Sequence, residues 1–363
     1  WDMESGTDWM AHTKHVFTDT ASYFVGIGVA DELPLRVGVI PQVTDPATRA
    51  SDSFDDRQFI EKDYTTLLKS GRNLFAETYD IVTTYVYNFE TPYIRQQDQV
   101  CLRVNVLSRT LGTTNSSQWR IVSGLLDSTF SVAGVGTGYT GEQAKPTQQT
   151  FCFNANGNNL PVTVSFIKHN PVSSIGWMNF LEVNLRRDLK MADDQLLFRD
   201  LTSVGPGEVT EFTLDLAPGL LALWDVTNPT LAASVDLTDN GIQKVFRLRT
   251  DSLRQFAAFR PNSLRVPYLA GRVANQNLHA TTLPTDLVIV TPPEFKNSAA
   301  RIAERRESEG LTVKMVTPQE VFNEFSSGMR DATAIKRYMK LLYDRAGTDL
   351  ALMPRYLLLF GDG

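Results

Sequence analysis

The chain has 363 residues, with 35 Lys and Arg against 41 Asp and Glu, for a net charge of −6. This balance excludes nucleic-acid binding through a bulk basic surface, which phosphate contacts require. The apolar fraction is 42% and the charged fraction 21%, which describes a globular rather than a disordered chain, and no apolar run reaches the roughly 20 residues that span a bilayer.

At about 100–200 residues per domain, the length predicts two or three domains. Two cysteines are too few for a disulfide scaffold. The opening Trp1-Asp2-Met3-Glu4 has no initiator Met and no basic or apolar leader region, and reads as a processed chain or one cut from something longer.

Most of the first 270 residues read as short strands between turns. Residues 22–29 and 35–40 are β-rich runs bounded by Gly, Pro and Asp, and 77–89 are dense in Thr, Tyr, Val and Ile. Over 99–107, Val100, Leu102, Val104 and Val106 point one way and Cys101, Arg103 and Asn105 the other, the alternation of a half-buried strand. Further strands are predicted at 119–122, 150–153, 162–168, 178–185, 208–214, 219–226 and 243–248. Turn signals such as Asn156-Gly157 and Asn240-Gly241 separate them. The spacing is that of antiparallel sandwiches. A boundary near 157–161 divides a β-rich domain, 1–158, from a second β-sandwich, 159–270. This part has neither a helical period nor a clear internal repeat.

The pattern changes after Pro267. Residues 286–290 form a continuous apolar run, as in a strand buried on both faces of a parallel sheet. Thr291-Pro-Pro-Glu294 then offers an N-cap, a proline at the first helical position and an acid three residues on, and predicts a helix that Gly310 closes. Residues 311–316 are a second strand. Thr317-Pro-Gln-Glu320 repeats the capping signature for a short helix ending at Gly328. Residues 331–345 form a third helix with Ile335, Tyr338, Met339 and Leu342 on one face, and Gly347 stops it. Residues 356–360 are a third buried strand. The order β-α-β-α-α-β is the opening of a doubly wound α/β domain, 271–363, expected to continue past Gly363 because it leaves a buried-type strand unpaired.

Ligands of such sheets sit beyond the carboxyl ends of the strands, here Thr291, Thr317 and Gly361-Asp-Gly363. Asp362 is the ionisable group among them. One carboxylate makes no constellation, and the Gly-Asp-Gly turn accounts for it as well as an active-site role does. Cys101 and Cys152 lie in strand-like segments, whereas a nucleophilic thiol wants a helix N-terminus or a strand-end loop beside a His. They read either as buried structural thiols or as a Cys101–Cys152 bridge, which export would permit. His12 and His15 lack a third metal ligand and read as a solvated N-terminal segment. His169 sits in a turn and His279 in a polar linker. Gly136-Thr-Gly138-Tyr-Thr-Gly141 fits a dinucleotide pattern, but no helix follows, so it reads as a loop tip. Asp55-Asp56 and Asp193-Asp194 read as solvated turns, with too few regularly spaced oxygens for a calcium loop. Trp9, Tyr93, Trp177 and Trp224 are candidates for a partner-facing surface, with core packing the better account of Trp177 and Trp224.

Several separated motifs, in order, resemble a known family. They are Asn277-Leu-His279, the 286–292 strand, Ala299-Ala-Arg-Ile-Ala303, Val321-Phe-Asn-Glu-Phe-Ser-Ser-Gly328, Asp331-Ala-Thr-Ala-Ile-Lys336, Lys340-Leu-Leu-Tyr343 and 355–363. Upstream, Asn179-Phe-Leu-Glu-Val-Asn-Leu-Arg-Arg187 and Leu223-Trp-Asp-Val-Thr-Asn-Pro229 join them. Together they resemble the gingipain-type cysteine peptidases, in their type IX secretion sortase branch, over about residues 175–363. The resemblance implies a caspase-like α/β catalytic domain preceded by β domains, and a His–Cys dyad acting through an acyl-enzyme.

It implies an enzyme that removes the C-terminal signal domain of exported cargo and transfers the cargo to anionic lipopolysaccharide. That enzyme works at the cell surface, held by the outer-membrane β-barrel PorV among other secretion proteins. No nucleic-acid partner and no cofactor are implied, and a structural calcium is left unassigned. No residue of this sequence matches the family's His or Cys, so no catalytic position is carried over, the dyad is expected beyond Gly363, and Asp362 stands only as a neighbour of the active-site edge. Two alternatives stay open: a non-catalytic β-sandwich scaffold or adhesion module, and a hydrolytic gingipain-like protease.

Overall fold

The computed structural model describes residues 2–26, 35–68, 73–138, 141–220, 222–260 and 264–361. It forms two compact units, residues 1–13 with 35–266, and residues 14–34 with 267–363.

The first unit holds two β-sandwiches. In one, an antiparallel sheet of Leu126–Ala133, Ser116–Ser123, Asn159–Ile167 and Thr84–Glu90 packs on a second of Lys145–Asn154, Gln99–Arg109, Ile175–Asp188 and Ser53–Glu61. Alternation dictates the packing. Val100, Leu102, Val104 and Val106 are all buried between the sheets. At the centre, the Trp119 ring meets Tyr79 and Phe166 at 4.8 Å each, and its indole N–H donates to Ser108 Oγ at 2.8 Å. Gly176 lies against this indole, where a Cβ would come within 2.6 Å of Trp119 Cζ2.

The 158/159 line falls within this sandwich. Asn159–Ile167 pairs with both Thr84–Glu90 and Ser116–Ser123. The Asn156-Gly157 turn, with Gly157 at φ 103°, carries the chain from one sheet to the other.

The second sandwich pairs a sheet of Gln195–Phe198, Phe256–Phe259, Ala222–Asp225, Ala233–Val235 and Gly38–Ile40 with one of Thr238–Asn240, Gln243–Arg249, Val209–Leu214 and Arg49–Ser51. Two of these strands come from early in the chain and add in parallel, Gly38–Ile40 to Ala233–Val235 and Arg49–Ser51 to Val209–Leu214. Its core centres on Phe198, Phe212, Phe246 and Phe256, with Phe212 and Phe246 stacked at 4.9 Å.

Among the described residues, nine strands were not evident from the sequence: Asp2–Met3, Met10–Ala11, Arg49–Ser51, Ser53–Glu61, Leu126–Ala133, Gln195–Phe198, Ala233–Val235, Thr238–Asn240 and Phe256–Phe259. Of the strand predicted at 22–29, residues 22–26 lack regular secondary structure and the rest lie outside the described residues.

The second unit is a three-stranded parallel sheet, with Leu287–Val290 between Val313–Val316 and Tyr356–Leu359. The helices are α1 (Lys296–Ser308), α2 (Pro318–Phe325) and α3 (Thr333–Ala346). The central strand is buried along its whole length, as its unbroken apolar run requires. One core joins Val288 and Val290 to Tyr338 and Leu342 of α3 and Val321 of α2. Another joins Leu287 and Ile289 to Ala299 of α1. Gly347, at φ 58°, ends α3 in a conformation that a Cβ would strain.

Residues of the early chain also lie on this unit. Phe24 and Ser22 approach Gly328, and His15 Nε2 stands 3.6 Å from Asp331.

Candidate functional site

The carboxyl edge of the parallel sheet is where an α/β unit places its chemistry. Of the three strand ends there, Thr317 behaves as its sequence predicts. Its hydroxyl accepts from the Glu320 N–H at 3.2 Å, and Glu320 reaches back to the Thr317 N–H at 2.7 Å, a closed capping box with Pro318 at the first helical position.

Thr291 does not, although Thr291-Pro-Pro-Glu294 has the same signature. Pro293 forbids the helical conformation at Pro292, which stays extended at φ −58°, ψ 152°. A short 3₁₀ turn, Pro293–Phe295, follows, and α1 starts only at Lys296 without a side-chain cap. Thr291 is instead a buried strand terminus whose N–H donates to Val316 C=O at 2.9 Å.

The third strand end, Gly361, packs under Pro292 and Phe295. A Cβ there would stand 3.3 Å from Pro292 Cδ. Asp362 lies outside the described residues. The described part of this edge is thus a shaped backbone of threonine and glycine without an ionisable side chain from the strand ends themselves.

The opposite edge is closed by an ion pair. Asp286 accepts from Thr312 N–H at 2.8 Å and from Arg355 Nη2 at 2.6 Å. The Thr312 N–H, with the Arg355 guanidinium, holds the Asp286 carboxyl below the ordinary aspartate range. His279 is not in a free linker. Its Nδ1 lies 2.7 Å from Glu324 Oε2 and its ring stacks on Phe325 at 4.7 Å, which pins the 277–280 turn to α2.

The cysteines sit elsewhere. Cys101 and Cys152 are direct partners on adjacent antiparallel strands, with Cα atoms 4.1 Å apart, and they are joined by a disulfide. They occupy the face of the sheet opposite Val100 and Leu102, so neither is a buried thiol. Since the sequence has two cysteines, residues 1–363 hold no free thiol.

Two groups read as solvated are instead half-buried and paired. Asp55 and Asp56 lie in the Ser53–Glu61 strand, where Asp55 pairs with Arg186 and Asp56 with Arg187, each at 2.9 Å. Burial, only partly offset by the Leu201 N–H and Arg186, pushes the Asp55 carboxyl above its usual range. The partners lie 131 residues away, beyond the reach of a local reading. His12 is the other; its side chain is 5% exposed between two carboxylates. Asp193-Asp194 are exposed, as are Gly136, Gly138 and His169. Trp177 is buried, and Trp224 stands edge-on to Phe259 at 5.2 Å, while Trp9 and Tyr93 are half-buried under Arg103 and Lys190. None of the four is a freely exposed aromatic. Among the described residues no group of three or more His, Cys, Asp or Glu is arranged to hold a metal ion, and no helix is long and apolar enough to cross a membrane.

The second unit, then, is the start of a parallel α/β layer. Residues 280–363 match the model of peptidase family C25, a cysteine peptidase family. The fold as a whole is like that of PorU from Porphyromonas gingivalis, in a structure of its dimeric latent form. That structure aligns over 91% of this chain with a TM-score of 0.73 and 24% identity, and the chain spans 32% of its length. The architecture is therefore that of β domains leading into a caspase-like α/β domain. The insecticidal toxin Cry8Ea1 from Bacillus thuringiensis (14% identity over 28% of this chain and 17% of its own, TM-score 0.20) and the carbohydrate-binding module CBM36 (12% over 35% and 98%, TM-score 0.22) share too little of the fold to inform it. No curated protein matches the chain.

Proposed function

We propose that residues 1–363 are the N-terminal region of a cell-surface sortase of the type IX secretion system, whose β-sandwiches carry a C25-type catalytic domain. The observation that supports this most is the order of parts: two sandwiches followed by a parallel sheet whose residues match the C25 model, along 91% of the chain in register with PorU. In this reading a Cys–His dyad outside residues 1–363 attacks the peptide bond before the C-terminal signal of a cargo protein. The acyl-enzyme then passes the cargo to an amine on anionic lipopolysaccharide. With Cys101 and Cys152 bonded to each other, the thiol must come from other residues. The exposed strand Tyr356–Leu359 would take further strands of that domain on its open side. Attachment to the outer membrane goes through a β-barrel partner such as PorV, and the disulfide suits an exported protein.

The test is to incubate the full-length enzyme with a cargo bearing its C-terminal signal, with and without an amine acceptor. Transfer product alongside released signal is expected. Hydrolysis alone would make the protein a gingipain-like protease, and no cleavage would leave the sandwiches as a scaffold.

A further inference from the structure

A buried charge cluster in the first unit lies on the outer face of the Gln99–Arg109, Ile175–Asp188 and Ser53–Glu61 strands. The N-terminal hairpin, Asp2–Met3 paired with Met10–Ala11, covers it. A sheet face on the outside of a sandwich is ordinarily solvated, yet Glu182 is 1% and Arg103 9% exposed. The hairpin supplies their partners. Asn184 holds Met10 by both its N–H, at 3.0 Å, and its C=O, at 3.1 Å. Glu4 grips Arg103 with both oxygens, at 2.6 and 2.9 Å. Trp9 donates to Glu182 Oε2 at 3.1 Å, under the Arg103 guanidinium. The closing piece is His12. Its Nδ1 is 2.5 Å from Glu182 Oε1 and its Nε2 2.5 Å from Glu61 Oε2, with Phe59 stacked at 4.2 Å and Phe180 edge-on at 4.8 Å.

We propose that residues 2–13 are a pH-operated latch, in which imidazolium His12 bridges Glu61 and Glu182 to hold the hairpin on the sandwich, and loss of its proton loosens the hairpin and uncovers Glu182, Arg103 and Asn184. The geometry forces the charge state. Both ring nitrogens face a carboxylate, so only the doubly protonated ring donates to both. A neutral ring presents one lone pair to a carboxylate and leaves two acids flanking an uncharged group. The charged groups around the ring are Glu61, Glu182 and Arg103 from the three strands, and Glu4 from the hairpin. Burial opposes the charged ring, but the hydrogen bonds and charges of Glu182 and Glu61 outweigh it and raise the pKa to about 8. The sign follows: a raised pKa in the closed form adds stability that is full below about 6.5 and lost as pH rises through about 8. Between pH 6 and 9 the opening equilibrium should rise about 20-fold. The Met10 and Glu4 contacts do not titrate in that window, so the latch loosens while the sandwich stays folded. This inference stands apart from the peptidase reading.

Hydrogen exchange of the 2–13 peptide in the full-length protein, corrected for intrinsic rates, tests it. Protection should fall about 20-fold from pH 6 to 9 while a 99–107 peptide keeps its own. In His12→Asn the pH dependence should vanish, and in Glu61→Gln the fall should shrink and move to lower pH. Flat protection in the wild-type protein would overturn the proposal, as would an undiminished fall in His12→Asn. Should His12→Asn not fold, an unchanged profile in Glu61→Gln overturns it equally.

Discussion

The sandwiches and the parallel sheet bury their strands by opposite rules. In Gln99–Arg109 alternate residues enter the core, and the remaining face is free to carry Cys101, Arg103 and Asn105. In Leu287–Val290 every residue is buried and only the strand ends can carry chemistry. A two-faced strand therefore spreads its polar groups along its length, as ion pairs, a disulfide and a docked hairpin. A strand covered on both sides concentrates them at its termini. The difference explains why the sandwiches carry charge clusters along their strand faces, while the parallel sheet, in the described part of its carboxyl edge, offers only a shaped backbone.

Each side of the comparison can be broken separately. Trp119→Ala removes the ring that joins both sheets of the first sandwich and should cost about 3–5 kcal/mol, read by denaturant unfolding of that unit. Leu342→Ala, in the α3 face against the parallel sheet, should cost about 2–5 kcal/mol to its own unit. Replacing Cys101 and Cys152 together by Ala removes a cross-link 51 residues apart and should cost the sandwich about 2–4 kcal/mol, with no comparable effect of reductant on the parallel-sheet unit. Thr317→Val should cost about 1 kcal/mol by opening the capping box, whereas Thr291→Val should cost less, because its hydroxyl caps no helix and makes only a long 3.4 Å bond to Pro292 C=O. A reversed order of these two would overturn the account of the double proline. The smallest effect concerns pH. The Asp286 carboxyl is held low by Thr312 and Arg355, so the stability it contributes is present above about pH 4 and lost as pH falls further; Asp286→Asn should flatten the acid limb of that unit's unfolding.

What the sequence shows on its own follows from range. Alternation over 99–107 and the unbroken apolar run at 286–290 are local, and both give the correct strands. Helix α3 is also local, and its predicted face, Tyr338 and Leu342 above all, is the buried one. The strand Ser53–Glu61 is not, because Asp55 and Asp56 look solvated until Arg186 is placed opposite Asp55 and Arg187 diagonally across from Asp56. The strands Gly38–Ile40 and Arg49–Ser51 join a sandwich whose other strands begin at Gln195, a parallel addition that no spacing reveals. At the site, the capping boxes are written as four-residue signatures, but one adjacent proline undoes the first. His12 carries no local sign of burial, since its carboxylate partners lie 49 and 170 residues away.

The central claim is that these residues are a platform and a first layer, with the reacting thiol outside them. Treating the active full-length enzyme with a cysteine-directed peptidyl electrophile and mapping the modified residue by mass spectrometry tests it most directly. The account predicts a single labelled cysteine outside residues 1–363, with Cys101 and Cys152 recovered as one disulfide-linked peptide pair. Label on Cys101 or Cys152, with loss of activity, would contradict it.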